Sequence, residues 1–322
     1  MGMSMPEIID YATGVTAIDA HFAERRGQVA SHLLTDSGEA ALVDVGSNFS
    51  VPHLLRGLEA KGIAASAVRY VCVTHVHLDH AGGAGELMRH LPEATLVVHP
   101  RGARHMIDPT ALFEGARGVF GDEVVARHYG EAVPVSEQRI RIVEDGDRLP
   151  LGSRSLLFLD TPGHANHHYS MVDESAGLVF AGDTFGCAYR SLNSERGAFV
   201  FPSTAPVHFD PDDAHRSVDR LRQLEPHAIY LAHFGEVTEI ERLADDLHRG
   251  IDAHVDIALR HADNTTEPVR AISADLMGWL LERVREHGRP LTDTEAVEIL
   301  GMDLELNAQG LMAWLRRRAD RT

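Results

Sequence analysis

The sequence of 322 residues is poor in cysteine, in lysine and in long apolar runs. Its two cysteines, Cys72 and Cys187, are too few for a disulfide framework or a thiolate metal site. Lys61 is the only lysine, and acids outnumber bases by 48 to 30, which gives a formal net charge of −18. Because phosphate binding needs clustered Lys and Arg, this charge argues against nucleic acid as a partner.

Two kinds of targeting segment are also missing from the sequence. No stretch approaches the roughly 18 consecutive apolar residues of a membrane span. The N-terminus lacks the basic segment and following apolar run of a signal peptide. We therefore expect a cytoplasmic protein that does not bind membranes. What the sequence has in excess is histidine, with 21 residues, and this excess needs an explanation.

The pattern of apolar residues predicts an α/β body followed by a helical region. Short β-branched runs alternate with helical windows up to residue 237, and strand character then disappears. We predict an α/β domain over 1–237, with a helical insertion near 101–133, and an α-helical domain over 238–322. The clearest predicted strands are 40–45, 67–73, 94–97, 155–159, 178–181 and 228–232. The helices predicted in the second domain are 239–262, 273–287, 293–300 and 304–318.

Four candidate metal ligands stand within six residues, directly after the predicted strand 67–73. They are His75, His77, Asp79 and His80. The loops after buried strands are where α/β folds place their chemistry. The spacing lets His75 and His77 point together toward one metal, and Asp79 and His80 then lie around the turn toward a second.

Further candidates follow other predicted strands in the same way. They are Asp44 upstream and His164, Asp183 and His233 downstream. Imidazole and carboxylate ligands without a thiolate suit zinc, iron or manganese. We expect two divalent metal ions, zinc first among them, with iron or manganese as alternatives.

These motifs, in this order over about residues 14–235, resemble those of the metallo-β-lactamase-fold hydrolase superfamily. The resemblance implies a four-layer αββα sandwich of two mixed sheets, followed here by the helical C-terminal domain. It implies that Asp44 supports the geometry of the ligands from behind. The ligand roles that it implies are His75, His77 and His164 on the first metal, Asp79, His80 and His233 on the second, and Asp183 bridging both.

The resemblance also implies an activity. In such a site a hydroxide that bridges two metals attacks an electrophilic carbonyl, and Asp79 is the candidate to hold and shuttle the proton. The chain is most similar to the branch that contains glyoxalase II and the lactonases, which hydrolyses small thioesters, lactones and esters. Within it, the chain resembles an uncharacterised subfamily. Asp183 stands where the best-known class B β-lactamases have Cys, which argues against antibiotic hydrolysis.

Three residues are candidates for the substrate pocket. Tyr189 loosely corresponds to an active-site tyrosine of the acyl-homoserine lactonases. Phe113 and Phe120 belong to the predicted insertion, where a pocket wall and a core or lid position are equally good interpretations. We expect a small-molecule substrate, and we consider a homodimer as the assembly.

Two other functions stay open at this point. Persulfide dioxygenases resemble the same scaffold and hold a single iron at positions like His75, His164 and Asp183. The third alternative is a non-catalytic ligand-binding protein that uses the fold as a scaffold.

Overall fold

The computed structural model of the protein describes residues 5–204, 207–264 and 266–320. The chain forms two compact units. The first unit comprises Met1–Asp160, His167–Gly182 and His227–Glu236, and the second comprises Thr161–Asn166, Asp183–Pro226 and Val237–Thr322. Candidate ligands occur in both units. The domain boundary predicted at residue 238 stays a prediction.

The first of two mixed sheets begins near the N-terminus. Within the described residues its strands are β1 (Ile8–Asp10), β2 (Val15–Asp19), β3 (Ala30–Asp36), β4 (Glu39–Val43), β5 (Val68–Cys72), β6 (Thr95–Val98) and β7 (Ile140–Ile142), in this spatial order. Strands β1 to β4 are antiparallel, whereas β4 to β7 are parallel. Parallel strands end at the same sheet edge, so the residues after β4 and β5 come together there.

The second sheet follows in sequence. Its strands in the described part of the chain are β8 (Arg148–Leu151), β9 (Arg154–Asp160), β10 (Tyr169–Asp173), β11 (Leu178–Gly182), β12 (Ala228–Leu231) and β13 (Gly235–Val237). Their spatial order is β13, β12, β11, β10, β9, β8. The pair β11 and β12 is parallel, and the pairs from β8 to β11 are antiparallel. Asp183 and His233 come directly after β11 and β12.

The helices of the first unit include those of the region predicted as an insertion. They are α1 (Val51–Ala60), α2 (Leu78–Ala81), α3 (Ala84–His90), α4 (Pro100–Ile107), α5 (Thr110–Phe120) and α6 (Asp122–His128). Helices α4 to α6 lie between β6 and β7 along the chain. The second unit carries α7 (Pro211–Arg222), α8 (Ile240–Arg260), α9 (Pro268–Glu286) and α10 (Asp293–Ala319). No helix among the described residues is both long and apolar enough to cross a membrane.

The two sheets pack face to face across an apolar core. Residues from both contribute to it, among them Val43 and Val97 of the first sheet and Phe158, Tyr169 and Phe180 of the second. A second apolar cluster covers the other face of the first sheet with α1, α3 and α4. Burial on both faces explains why β4, β5 and β6 read as nearly continuous apolar runs. The structure confirms the predicted α/β fold of two mixed sheets with a helical C-terminal region.

The sequence prediction was wrong about the last helix. The segments predicted as 293–300 and 304–318 form the single helix α10, which passes through Gly301. A glycine inside a helix costs roughly 1 kcal/mol, but Leu300 and Leu304 on either side of it are fully buried on one face. The helix begins with a capping box in which Thr292 and Glu295 satisfy each other's backbone N–H groups.

One buried histidine of the first unit has a consequence for stability. His32 on β3 is 3 % exposed, its ring lies edge-on to Tyr230 with centroids 5.3 Å apart, and burial lowers its pKa to about 3. The folded protein therefore keeps this imidazole neutral at pH values where the unfolded chain, with a pKa near ~6.5, already binds a proton. The preference of the unfolded chain for this proton has no effect on stability above pH ~6.5. As pH falls from there toward 3, it lowers the free energy of unfolding by an increasing amount.

We expect His32→Leu to remove this acid sensitivity. Between pH 6.5 and 4.5 the wild type should lose about 2 kcal/mol more stability than the variant, at up to about 1.4 kcal/mol per pH unit. Urea unfolding of metal-free protein at both pH values measures the difference. The exposed His90 supplies the control, because His90→Gln should follow the wild type. Equal losses in the wild type and in His32→Leu would contradict the prediction.

Candidate metal centre

The first unit gathers five of the predicted ligands, which we call the first ligand group: His75, His77, Asp79, His80 and His233. After β5 the chain runs through Thr74 and His75, and α2 then places Asp79 and His80 in one turn. The Nε2 atom of His75 lies 2.9 Å from Nδ1 of His77. The rings of His75 and His80 have centroids 4.0 Å apart, and those of His80 and His233 are 5.1 Å apart.

Three members of this group could hold one ion between them. The Oδ2 atom of Asp79 lies 3.5 Å from Nε2 of His80 and 3.5 Å from Nε2 of His233. One ligand atom from each of the three residues falls within 4.8 Å of the others. Burial alone would raise the pKa of Asp79, but the neighbouring His80 and His233 outweigh it and hold this pKa well below its usual value. The carboxylate is therefore matched to a cationic environment.

Asp44 lies behind the group. It follows β4 with a positive φ of 57° and is 2 % exposed. Its Oδ1 accepts hydrogen bonds from the backbone N–H and the hydroxyl of Thr74 at 2.8 and 3.0 Å. Its Oδ2 lies 3.0 Å from Nδ1 of His80. A carboxylate accepts from Nδ1–H, so His80 is held as the tautomer whose Nε2 carries the lone pair.

Backbone oxygen atoms orient two further histidines in the same way. His233 donates from Nδ1 to the carbonyl of Gln28 at 2.8 Å. In the second unit, His164 donates from Nδ1 to the carbonyl of Ser203 at 3.1 Å. A carbonyl can only accept, so the Nε2 atom of each ring is left as the metal-binding nitrogen.

The second unit contributes His164 and Asp183, which we call the second ligand group. The Nε2 atom of His164 lies 3.4 Å from Oδ2 of Asp183. The hydroxyl of Ser203 donates to the same Oδ2 at 3.2 Å. Both ligand side chains are nearly fully buried, with residue exposures of 4 % and 5 %. Ser203 therefore orients both members of this group, one through its carbonyl and one through its hydroxyl.

The turn before Asp183 requires a glycine. Gly182 ends β11 with a φ of +50°, and a Cβ atom built there would lie 2.6 Å from Nε2 of His168 and 2.6 Å from Oγ1 of Thr74. His168 is 1 % exposed, and its ring stacks on that of His75 with centroids 4.9 Å apart. The close approach of these side chains leaves no room for a larger residue, which explains the Gly-Asp order at this strand end.

The residues present fit a borderline divalent cation. The donor set combines imidazole nitrogens with carboxylates, and the ligating nitrogens are singled out by hydrogen-bond acceptors on the opposite ring nitrogen. Cys72, on the strand that leads into the ligand motif, does not compete as a ligand. It lies in the core between the sheets, where burial raises the pKa of its thiol. The assignment of individual ligands to a first and a second metal stays a prediction.

The predicted pocket residues occupy two different environments. Phe113 is 1 % exposed and packs with Leu78 of the ligand motif and with Tyr129, and Phe120 lies against the same cluster. Tyr189, in the second unit, is buried and donates its hydroxyl to both carboxylate oxygens of Asp303 at 3.1 Å. Burial and the Asp303 charge raise the pKa of Tyr189 well above its usual value. Their roles toward a substrate stay predictions.

Sequence reasoning missed three contributors to the site. The carbonyls of Gln28 and Ser203 hold ligand histidines, but a backbone acceptor has no residue-type signature. Tyr129 of the insertion was also missed; burial and, after it, the nearby Asp79 carboxylate raise the pKa of its hydroxyl. The apolar spacing within 101–133 was a signal for Tyr129, since it packs with Phe113 on Leu78.

The chain is similar to known proteins over the region that carries the candidate ligands. A sequence profile described as the metallo-beta-lactamase superfamily matches residues 25–233. The crystal structure of the metallo-beta-lactamase family protein TTHA1429 from Thermus thermophilus superposes with a TM-score of 0.65 at 22 % identity. That superposition covers 98 % of this chain and 93 % of the other. The fold is therefore shared over essentially the whole length.

Two curated relatives carry an activity in their names. The human acyl-coenzyme A thioesterase MBLAC2 is 29 % identical over 191 residues, covering 53 % of this chain and 63 % of the relative. The hydroxyacylglutathione hydrolase of Hahella chejuensis is 29 % identical over 202 residues, covering 62 % of this chain and 58 % of the relative. The chain thus spans about three fifths of the length of these relatives.

We expect Asp44→Asn to weaken metal binding at the first ligand group by about 10- to 100-fold. The amide oxygen can still accept from Thr74, but its NH₂ then faces Nδ1 of His80 and requires Nδ1 to accept. The proton moves to Nε2, which can no longer bind a metal. Competition of the purified protein with a chromophoric chelator measures the affinity.

A matched control separates this effect from general destabilisation. Asp173, at the end of β10, is likewise a buried carboxylate of the first unit, and it is paired with Arg154. Asp173→Asn should lower stability and leave metal affinity unchanged. An unchanged affinity in Asp44→Asn would show that Asp44 does not set the His80 tautomer.

Proposed function

Because this chain belongs to the metallo-beta-lactamase superfamily, we propose that it is a metal-dependent hydrolase of small thioesters. The observation that carries the proposal is the set of oriented imidazoles. His80, His233 and His164 each have Nδ1 engaged by a protein oxygen and Nε2 within 3.5 Å of an aspartate oxygen. Such preorganisation is typical of metal sites, where a partner on the far nitrogen sets the tautomer.

The proposed ligand set combines both groups. We assign His75, His77 and His164 to one ion, Asp79, His80 and His233 to a second, and Asp183 to both. Two divalent ions held by these residues would supply a nucleophilic hydroxide at neutral pH and would neutralise the negative charge on a carbonyl oxygen. Zinc is the ion that we propose first, because a ligand set of imidazole and carboxylate without thiolate binds it well.

The chain's own residues would handle the proton and the geometry. Asp79 would accept the proton that is released from the attacking water, and its Oδ2 lies 3.5 Å from Nε2 of both His80 and His233, next to the proposed second ion. Asp44 keeps His80 in the ligating tautomer, and Ser203 orients His164 and Asp183 together. No side-chain nucleophile is needed for this chemistry, because the oxygen of water would add to the thioester carbonyl, the C–S bond would break, and the leaving thiolate would take up the proton held by Asp79.

The proposed substrate class comes from the two named relatives. One is named for hydrolysis of acyl-coenzyme A and the other for hydrolysis of hydroxyacylglutathione. In both, an acyl group is carried on a thiol, and a thioester carbonyl is more electrophilic than that of an ester. We therefore place thioesters before lactones and oxygen esters as substrates of this chain.

The proposal is tested by metal analysis joined to a substrate panel. We expect two zinc ions per chain and turnover of short acyl thioesters of coenzyme A or glutathione. Asp79→Asn in the metal-loaded protein should lower kcat by about 10²- to 10⁴-fold, since it removes the proton acceptor. His77→Ala should lose metal as well as activity, which elemental analysis of the same samples will show.

Two controls make the outcome decisive. Circular dichroism of both variants must match the wild type, and Asp160→Asn, a partly exposed strand-end carboxylate outside the ligand groups, should retain full activity. One iron per chain with oxygen uptake, turnover confined to phosphodiesters, or no turnover of any thioester by zinc-loaded protein would each overturn the proposal.

A further inference from the structure

A second cluster of histidines and carboxylates lies outside the ligand groups, on two helices of the second unit. His215 and Asp219 are four residues apart on α7, and His248 and Asp252 are four residues apart on α8. Residues at this spacing share one face of a helix. Each helix therefore presents one imidazole and one carboxylate on the face that it turns toward the other.

The contacts between the helices are crossed. Nε2 of His215 lies 3.1 Å from Oδ1 of Asp252, and Nε2 of His248 lies 3.0 Å from Oδ1 of Asp219. The planes of the two imidazole rings are inclined by only 16°, and their centroids lie 4.9 Å apart. Their Nδ1 atoms face each other at 2.6 Å. The four side chains thus form a chain of carboxylate, imidazole, imidazole and carboxylate.

The order of these contacts determines where the lone pairs point. A carboxylate only accepts hydrogen bonds, so each histidine donates from Nε2. In the neutral tautomer each Nδ1 then carries a lone pair, and the two lone pairs point at each other. Such a contact is favourable only when an electrophile lies between the nitrogens.

We propose that His215 and His248 form a binding site for a divalent transition-metal ion, of the kind that prefers imidazole, such as Zn²⁺, Ni²⁺ or Cu²⁺. Histidines that bind a metal typically donate their other ring N–H to a carboxylate, and both do so here. The charges agree as well, because two carboxylates and two neutral imidazoles balance one divalent ion. Borderline ions favour imidazole over hard oxygen donors, which argues against Ca²⁺ and Mg²⁺.

Binding an ion requires the two rings to move apart and to turn. Two nitrogens on a tetrahedral Zn²⁺, each at about 2.0–2.1 Å, lie about 3.3 Å apart. The Nδ1 atoms must therefore separate by roughly 0.7 Å from their present 2.6 Å, and each ring must turn so that its lone pair points to an ion beside the line that joins the nitrogens. Both side chains are partly exposed, at 28 % and 23 %, so rotation about the side-chain torsions can supply this movement. Water can fill the remaining coordination positions.

The position of α7 connects this site to the second ligand group. The backbone N–H of Asp210, which caps α7, donates to the carbonyl of Gly163 at 2.8 Å, and Ser217 donates to the carbonyl of Pro162 at 2.6 Å. A Cβ atom at Gly163 would lie 2.4 Å from the backbone of Ala214. Helix α7 thus directly supports the loop that carries His164. An ion joining α7 to α8 would restrict movement of that support.

Equilibrium dialysis of the metal-loaded protein against Zn²⁺ or Ni²⁺ tests the proposal by the number of ions bound per chain. We expect the wild type to bind one ion more than His215→Gln or His248→Gln. Asp219→Asn and Asp252→Asn should each lower the affinity for this additional ion by about 10- to 100-fold. These two variants keep the test informative if either histidine variant fails to fold.

The matched control is His261, also on the surface near the end of α8, with Nε2 3.0 Å from Oδ2 of Asp275. Among the described contacts it has a carboxylate partner but no second histidine, so His261→Gln should bind as many ions as the wild type. Side-chain ¹⁵N spectra give an independent readout, because Ni²⁺ or Zn²⁺ should perturb the Nδ1 signals of His215 and His248 together.

Equal metal content in the wild type and in His215→Gln would overturn the proposal. So would Nδ1 signals that stay unchanged on addition of metal, since a shared proton then accounts for the 2.6 Å contact. The result does not depend on the proposed hydrolase, because the count compares variants that all retain both ligand groups. Absence of thioesterase activity would leave the difference between these variants intact.

Discussion

The hydrogen bond between Asp44 and His80 is the interaction on which the candidate centre depends. Asp44 sits in the left-handed region after β4, which costs a residue with a side chain on the order of 1 kcal/mol. In that conformation its carboxylate reaches Thr74 and His80 at once, and so joins the end of β4 to the ligand motif after β5. The parallel pairing of these two strands is what places both ends at one edge. The strained backbone of Asp44 and the parallel order of β4 and β5 are therefore both needed to orient one imidazole, that of His80.

Most of the strands that could be predicted from the sequence are buried on both faces. Strands β4, β5, β6, β11 and β12 gave continuous apolar runs, and the polar residues after them stood out as a group. Strands β1 and β7 were missed because they are short and half-exposed, so they carry no clear period. Strands β8, β10 and β13 were missed as well, and β10 is fully buried; its polar residues Ser170 and Asp173 interrupt the apolar run. The break expected in α10 came from giving Gly301 more weight than the buried leucines on either side of it. Local propensity yields there to tertiary packing.

The ligand residues could be predicted, but not all of what orients them. Histidine and aspartate at strand ends are visible as letters in the sequence, whereas the carbonyls of Gln28 and Ser203 are not. Gln28 lies 205 residues from His233, and Ser203 lies 39 residues from His164. Only the three-dimensional structure brings such acceptors to the ring nitrogens. The many histidines likewise occupy different environments and are not all candidate ligands. His32 and His254, for example, are buried with lowered pKa values and belong to neither ligand group.

Burial separates the two proposed kinds of metal site. At the first ligand group, His80 and the Asp44 carboxylate behind it are almost inaccessible, so water cannot compete for the carboxylate or for Nδ1, and the imidazole is held before any ion arrives. On α7 and α8, Asp219 and Asp252 are 49 % and 71 % exposed, and water competes for each of their hydrogen bonds. An ion between His215 and His248 must also order these two partly exposed side chains, which costs conformational entropy. The same carboxylate–imidazole pairing should therefore give a tight, resident site where it is buried and a weaker, exchangeable site where it is exposed.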